Sequence, residues 1–293
     1  MPVAIAPNGI NIEYDVMGDP SDPPLLWVMG FTAQLIAWSE EFMQLFVDLG
    51  YFVIRFDNRD CGLSTKLDGV VVDANAVIKA ALLEDPLPAV PYTLSDMAND
   101  AVAVLDHLGI ARAHVIGASM GGMIAQTIAI EHPSRVQTLT SIMSQTGDPE
   151  YGQPGPEAAA VLFAPPDTDR TAYIEGSVKY AVWQSKKYFD PVATKERAAR
   201  EFDRSFYPEG SSRQLAAIYA SGRRSEKLSQ LTVPTLVIHG RDDALITPSG
   251  GERTSQVIPG AHLLMLSDMG HDMPQPLWPV LVDSIAAHVK RNL

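Results

Sequence analysis

Short apolar runs recur along the chain and predict the strands of a largely buried sheet. A more polar stretch at 136–143 also predicts a strand. The apolar runs fall at residues 25–29, 51–56, 115–118, 234–239 and 262–266, with few polar interruptions. Such continuous runs are typical of strands that are covered on both faces. The N-terminal segment differs, because residues 10–16 alternate apolar with polar positions after Asn8-Gly9, which predicts a hairpin.

Amphipathic segments lie between these runs and predict helices at 38–49, 93–108, 120–131, 251–257 and 276–289. Thr93 and Asp96 fit the capping pattern that opens such a helix. Residues 66–91 show no clear period, so we expect an irregular segment that flanks a pocket. Strands that alternate with helices predict an α/β fold with a doubly wound, mostly parallel sheet.

The strand pattern stops between residues 147 and 225. Four prolines fall within 147–165, and residues 171–222 have a helical pattern that is rich in aromatic side chains. We therefore expect a core domain formed by residues 1–146 and 226–293, with a helical cap at 147–225. The aromatic residues fit two interpretations equally well: a small helical core, or a cover over an apolar ligand.

Five loops follow the predicted buried strands and meet at one edge of the sheet, where sites lie in such folds. The loop after residue 118 reads Gly117-Ala118-Ser119-Met120-Gly121, which fits the G-x-S-x-G nucleophile elbow. In that turn a side chain at either glycine would collide with the neighbouring turn or helix. The pattern therefore predicts that Ser119 is an exposed nucleophile.

A serine hydroxyl needs a base, and the base needs an orienting carboxylate. Among the seven histidines, His271 lies in a loop just after a late strand, whereas His239 closes a strand and is interpreted as a packing or hydrogen-bonding group. The loop after residue 239 offers two carboxylates, Asp242 and Asp243.

The charged loop after residue 56 contains Asp57, Arg59 and Asp60. A metal or catalytic site is one interpretation. We favour the other, in which these side chains pair and hydrogen-bond to hold the shape of the loop.

These motifs, in their order and spacing, resemble those of the α/β-hydrolase fold family over essentially the whole chain. Residues 27–30, 55–60 and 268–271 are similar to esterases of the aclacinomycin methylesterase type. The resemblance implies Ser119 as nucleophile, His271 as general base and, through the His-Gly-x-x-Asp spacing, Asp243 as the acid.

The same resemblance assigns the oxyanion hole to the backbone N–H groups of Phe31 and Met120, which leaves the Met120 side chain free to vary. Many relatives have His-Gly where this chain has Met29-Gly30, so the support of this loop is an open question. The implied activity is hydrolysis of a small to medium apolar carboxylic ester through an acyl-enzyme.

Other activities share this set of groups. Ser119 argues against epoxide hydrolases and haloalkane dehalogenases, which use Asp as nucleophile. A cofactor-free perhydrolase, a C–C bond hydrolase and a non-catalytic ligand receptor remain as alternatives.

Composition and net charge limit the classes of partner that the protein is expected to bind. The chain has 293 residues, a net charge of −13 and a single cysteine, Cys61. An acidic surface disfavours nucleic acid and anionic membranes, and one cysteine permits neither an internal disulfide nor a cysteine cluster for zinc. We expect a cytoplasmic protein that binds a small-molecule ester, without cofactor, metal or stable membrane insertion; the sequence leaves the oligomeric state open.

Overall fold

The computed structural model describes residues 2–6 and 8–293. In this described part of the chain, eight strands form one sheet in the order β1-β2-β4-β3-β5-β6-β7-β8. β1 and β2 pair antiparallel, as do β2 and β4, and every later pair is parallel. The predicted α/β class and mostly parallel sheet are confirmed. The strands are β1 Val3–Ile5, β2 Asn11–Met17, β3 Pro24–Val28, β4 Phe52–Phe56, β5 Ala113–Ala118, β6 Val136–Ile142, β7 Thr235–Gly240 and β8 His262–Leu266.

Helices cover both faces of this sheet, which explains why its central strand β3 is apolar throughout. Alternate residues of β3 enter two separate cores: Leu26 and Val28 pack on one face, Leu25 and Trp27 on the other. The first core is completed by α3 Leu94–His107, α4 Met120–Glu131 and the end of α10 Ser249–Val257. The second is completed by α1 Glu40–Val47 and α11 Trp278–Lys290.

A helical insert separates β6 from β7. It consists of α5 Pro156–Leu162, α6 Arg170–Gly176, α7 Pro191–Ser205, α8 Gly210–Ala220 and α9 Ser225–Leu228. The chain enters and leaves this insert at nearly the same point, because Arg224 N donates to Thr146 O at 2.9 Å. The insert lies over the carboxyl ends of the strands, where α7 and α8 contact the loops that follow β3 and β4.

The segment 66–91 flanks both cavities near Ser119, as expected, but it is not irregular throughout, so that part of the expectation is wrong. It contains helix α2 Ala74–Leu83, which packs against α8 and buries Val77. The Asp73 side chain caps this helix by accepting a hydrogen bond from Ala76 N at 3.0 Å. The segment is rich in alanine and leucine, which favour helix, but its period is weak because one short face is buried.

Within the described residues, no helix has both the length and the apolar character that a membrane crossing requires.

Candidate active site

Ser119 occupies a strained turn between β5 and α4. Its φ is +57°, a left-handed conformation that non-glycine residues rarely adopt. The glycines on either side allow this turn. A Cβ on Gly117 would lie 2.0 Å from Gly121 O, and a Cβ on Gly121 would lie 2.1 Å from Val28 O. Both positions therefore exclude any side chain, as the sequence pattern predicts.

His271 lies between Ser119 and Asp243. Its Nε2 is 2.9 Å from Ser119 Oγ, and its Nδ1 is 2.8 Å from Asp243 Oδ2. An ionised carboxylate can only accept hydrogen bonds, so Nδ1 carries the ring proton and Nε2 is free to accept the serine proton. The three residues are brought together from loops up to 152 positions apart in the chain.

Asp243 is held as a buried anion. Its side chain is fully buried, and Oδ1 accepts hydrogen bonds from the N–H groups of Leu245 and Ile246, both at 2.9 Å. Burial raises the pKa of this carboxyl, but the charge of His271 and hydrogen bonds from His239 and His271 outweigh it, so the net pKa lies below its usual range. Asp243 is therefore charged whenever the imidazole needs an anionic partner.

The other residues considered from the sequence lie outside this hydrogen-bonded chain. Asp242 is half-buried, and its backbone N–H donates to Met269 O at 3.0 Å. His239 is buried beside the site, with Nε2 2.8 Å from Ile246 O and 3.5 Å from Asp243 Oδ2. Its position matches the packing and hydrogen-bonding interpretation.

Phe31 and Met120 line the space next to Ser119. Within residues 2–6 and 8–293, neither backbone N–H donates a hydrogen bond. Both donors are therefore available to a bound oxygen. The Met120 side chain is buried in the core, at 1% exposure, so the expectation that it is free to vary is wrong.

The loop that carries Phe31 is supported by side chains from distant segments. Asn58 Nδ2 donates to Met29 O at 2.8 Å, and Gln214 Oε1 accepts from Thr32 N at 2.8 Å. Asp57 Oδ1 accepts from Leu35 N at 2.7 Å. These contacts supply support in a loop where Met29 replaces the common histidine. Gln214, on α8, lies 182 residues from Thr32, and no local pattern could have identified it.

The charged loop is structural, as interpreted, but its side chains pair with other segments and not with one another. Asp57 binds Arg204 at 2.8 Å, and Asp60 binds Arg213 through two bonds of 2.8 and 2.9 Å. Both arginines belong to the insert. Arg59 instead donates two hydrogen bonds to the Asp100 carboxylate of α3, at 2.6 and 2.7 Å.

The insert also touches the loop of His271. His271 N donates to Trp183 O at 2.6 Å, and the Asp272 carboxylate accepts from Ser185 N at 3.1 Å and Gly270 N at 3.2 Å. A Cβ on Gly270 would lie 2.4 Å from Trp183 O, so the two backbones are in close contact. The position of the imidazole is therefore coupled to the position of the insert.

Two cavities meet at Ser119. The small cavity has a volume of about 300 Å³ and reaches Met120; the large cavity has a volume of about 640 Å³ and reaches His271. Aromatic side chains of the insert pack on one another, as the helical-core interpretation expects, and they also line the large cavity; a cover over an apolar ligand stays a prediction. These side chains are Tyr173, Tyr180, Trp183, Phe202 and Phe206.

Comparison with known proteins places the chain in a family. Residues 23–274 match the family model described as the alpha/beta hydrolase fold. The rhodomycin D methylesterase DnrP of Streptomyces peucetius is 27% identical in a match that covers 99% of each chain.

Solved structures share the architecture. A variant of the meta-cleavage product hydrolase CumD of Pseudomonas fluorescens IP01 is similar with a TM-score of 0.78 and 17% identity, over 99% of this chain and 98% of that one. A thermophilic esterase of Thermogutta terrifontis is similar with a TM-score of 0.72 and 21% identity, over the same shares. At these identities the structural likeness supports the fold alone. The family model covers most of the sequence, and this chain belongs to the α/β-hydrolase family.

Proposed function

We propose that the protein hydrolyses carboxylic esters through a covalent acyl-enzyme, with Ser119 as nucleophile, His271 as general base and Asp243 as the acid. The observation that carries the proposal is the hydrogen-bonded chain from Ser119 Oγ through the His271 ring to Asp243, with distances of 2.9 and 2.8 Å. A serine hydroxyl becomes an effective nucleophile in this arrangement.

The first half of the reaction forms the acyl-enzyme. Ser119 Oγ bonds to the ester carbonyl carbon while its proton passes to His271 Nε2. Asp243 stabilises the resulting imidazolium through Nδ1–H. The carbon–oxygen bond to the alcohol then breaks, and Nε2 returns the proton to the departing alkoxide. A water molecule repeats the sequence in place of Ser119 and releases the carboxylic acid.

The carbonyl oxygen becomes negatively charged in both halves. Phe31 and Met120 line the cavity beside Ser119, and their N–H groups have no acceptor in the described chain, which suits them to this oxygen. The loss of one such donor costs roughly 3–4 kcal/mol of transition-state stabilisation.

The domain division is part of the proposal. Residues 147–225 form a cap on a core of residues 1–146 and 226–293. Arg224 supports these bounds because its N–H and side chain bind Thr146 O and Gln145 O, at 2.9 and 2.8 Å, and thereby join the two ends of the cap.

The matched methylesterase supports an ester as the substrate, in preference to the other substrates that Ser119, His271 and Asp243 could act on. The matched methylesterase aligns over 99% of both chains. The methylesterase acts on a methyl ester, as its name states, and we extend ester hydrolysis to this chain.

Purified protein and a Ser119→Ala control, assayed with short p-nitrophenyl esters, test the proposal. We expect turnover that falls by at least about 10³-fold in the control. A fluorophosphonate probe is expected to label the wild type and not the variant. Equal hydrolysis by both proteins, or labelling that persists in Ser119→Ala, contradicts the assignment.

A further inference from the structure

The large cavity contains a carboxylate that forms no hydrogen bond with the described part of the chain. Glu201, on α7, lines this cavity with a side chain that is 18% exposed. Its nearest charged partner is Arg197, whose Nε lies 4.0 Å from Glu201 Oε1, beyond hydrogen-bond distance. Burial raises the pKa of the Glu201 carboxyl. Loss of water without compensating donors is unfavourable for a carboxylate.

Other carboxylates that line the same cavity have structural partners. Asp73 accepts from Ala76 N and caps α2. Asp272 accepts from the N–H groups of Ser185 and Gly270. Buried polar groups are normally hydrogen-bonded, so an exception inside a cavity is a candidate for ligand binding.

Aromatic side chains line the cavity together with Glu201 and limit the shape of the group that fits beside it. Tyr173 packs against Phe202 and Phe206, with ring centroids 5.4 Å apart in each case. Burial raises the pKa values of the Tyr173 and Tyr180 phenols, and the negative charge of Glu201 raises them further. Glu201 and these aromatic side chains line the same cavity, where an apolar group can pack while a polar substituent reaches Glu201.

Charge in the cavity selects among possible substituents. Arg197 and Lys179 line the same cavity, and Lys179 is 3.3 Å from Asp167. These cations disfavour an ammonium group, and Glu201 itself disfavours a carboxylate. A neutral hydroxyl meets neither repulsion and forms a charge-assisted hydrogen bond to the Glu201 carboxylate.

We propose that Glu201 is a specificity-determining residue that accepts a hydrogen bond from a neutral hydroxyl group on the apolar body of the ester substrate. The inference rests on the proposed function, since it places this group in the cavity that reaches His271.

Matched aryl esters test the proposal. In each pair, one ester carries a hydroxyl group on its aromatic ring and the other carries a methoxy group at the same position. Further esters carry an aminomethyl or a carboxyl group there. One series has the ring on the acyl side and the other on the alcohol side. In at least one series we expect wild-type kcat/KM to be about 10-fold higher for the hydroxyl ester than for its methoxy partner.

Two substitutions on α7 complete the design. Glu201→Leu is expected to abolish the hydroxyl preference, so that the ratio of kcat/KM for the hydroxyl ester to kcat/KM for its methoxy partner falls to about 1, because the lost contact is specific to the hydroxyl. Glu196→Leu, at an exposed position of the same helix, is expected to retain the preference. A hydroxyl preference that survives in Glu201→Leu overturns the proposal. So does its absence from wild type in both series, or a preference for the aminomethyl ester.

Binding separates this proposal from the proposed function. Non-hydrolysable amide analogues of the hydroxyl and methoxy esters are titrated calorimetrically into Ser119→Ala protein with and without Glu201→Leu. We expect the hydroxyl analogue to bind about 10-fold more tightly when Glu201 is present. If no ester is hydrolysed but this difference is observed, ester hydrolysis fails and the Glu201 site stands. If esters are hydrolysed and the difference is absent, the Glu201 site fails.

Discussion

The buried ion pair between Asp60 and Arg213 joins the core to the insert. It allows a measurement of how burial changes the contribution of an ion pair to the free energy of unfolding. Arg213 Nε and Nη2 donate to the two carboxylate oxygens at 2.8 and 2.9 Å. The two side chains are 0% and 4% exposed. Hydrogen bonding to Asp60 raises the pKa of Arg213, so the guanidinium is charged in the folded protein at every accessible pH.

Asp60→Asn keeps the shape of the side chain and removes its charge. The Arg213 guanidinium then lies in a buried site without an anionic partner, and the expected loss is about 3–5 kcal/mol of the free energy of unfolding. Asp203→Asn is the matched control, because Asp203 binds Arg170 through two bonds of 2.7 Å but both side chains are about half exposed. We expect Asp203→Asn to lower the free energy of unfolding by only a small fraction of the loss in Asp60→Asn, because water screens the exposed pair.

Urea unfolding, followed by circular dichroism and by tryptophan fluorescence, measures both variants by linear extrapolation. A double variant, Asp60→Asn with Arg213→Met, removes the uncompensated charge, so we expect it to be more stable than Asp60→Asn alone. The reasoning is refuted if Asp60→Asn and Asp203→Asn lose equal amounts. A double variant that is less stable than Asp60→Asn would also refute it.

Further predictions concern the site and the core. Asp243→Asn is expected to lower kcat about 10³–10⁴-fold on a p-nitrophenyl ester, and Asp242→Asn to leave it nearly unchanged; the reverse order would show that Asp242 orients the base. Gly121→Ala should abolish activity or folding, because its Cβ would lie 2.1 Å from a carbonyl oxygen, whereas Gly155→Ala, whose nearest contact is 3.7 Å, should match wild type in activity and melting temperature. Burial, then charge from nearby cations, lowers the pKa of His114 to about 4 from its usual 6.5. His114 is therefore protonated less readily in the folded protein than in the unfolded chain. The free energy of unfolding that is present above pH 6.5 falls by about 3 kcal/mol as the pH is lowered to 4. Urea unfolding at both pH values, with His114→Gln as control, checks this; an equal fall in the variant would contradict the assignment to His114.

Much of the fold could be predicted because its determinants are local. A continuous apolar run such as 25–29 forms a strand covered on both faces, and the structure shows its alternate residues in two different cores. The turn around Ser119 was equally predictable. The turn leaves no room for a side chain at positions 117 and 121, and the sequence shows glycine at both. Helix α2 was missed although Asp73 supplies a cap, since a helix with one short buried face has little periodic signal.

The supporting contacts of the site were not predictable in the same way. Asp60 and Arg213 are separated by 153 residues, and Thr32 and Gln214 by 182. Charge and hydrogen-bonding capacity are visible at each position, but the sequence spacing says nothing about which distant group completes the pair. The expectation that the charged loop pairs internally was therefore incomplete.

The sequence by itself determined the class of fold, the turn that exposes Ser119 and the strand ends at which His271 and Asp243 lie, because hydrophobic period and backbone sterics act over a few residues. Tertiary structure decided which carboxylate reaches the imidazole and which arginines of the insert hold the charged loop. It also decided that the Glu201 carboxylate lines a cavity without a hydrogen bond from the described residues. Those outcomes depend on the packing of the insert over the sheet, since burial and hydrogen bonding between distant segments are properties of the assembled core.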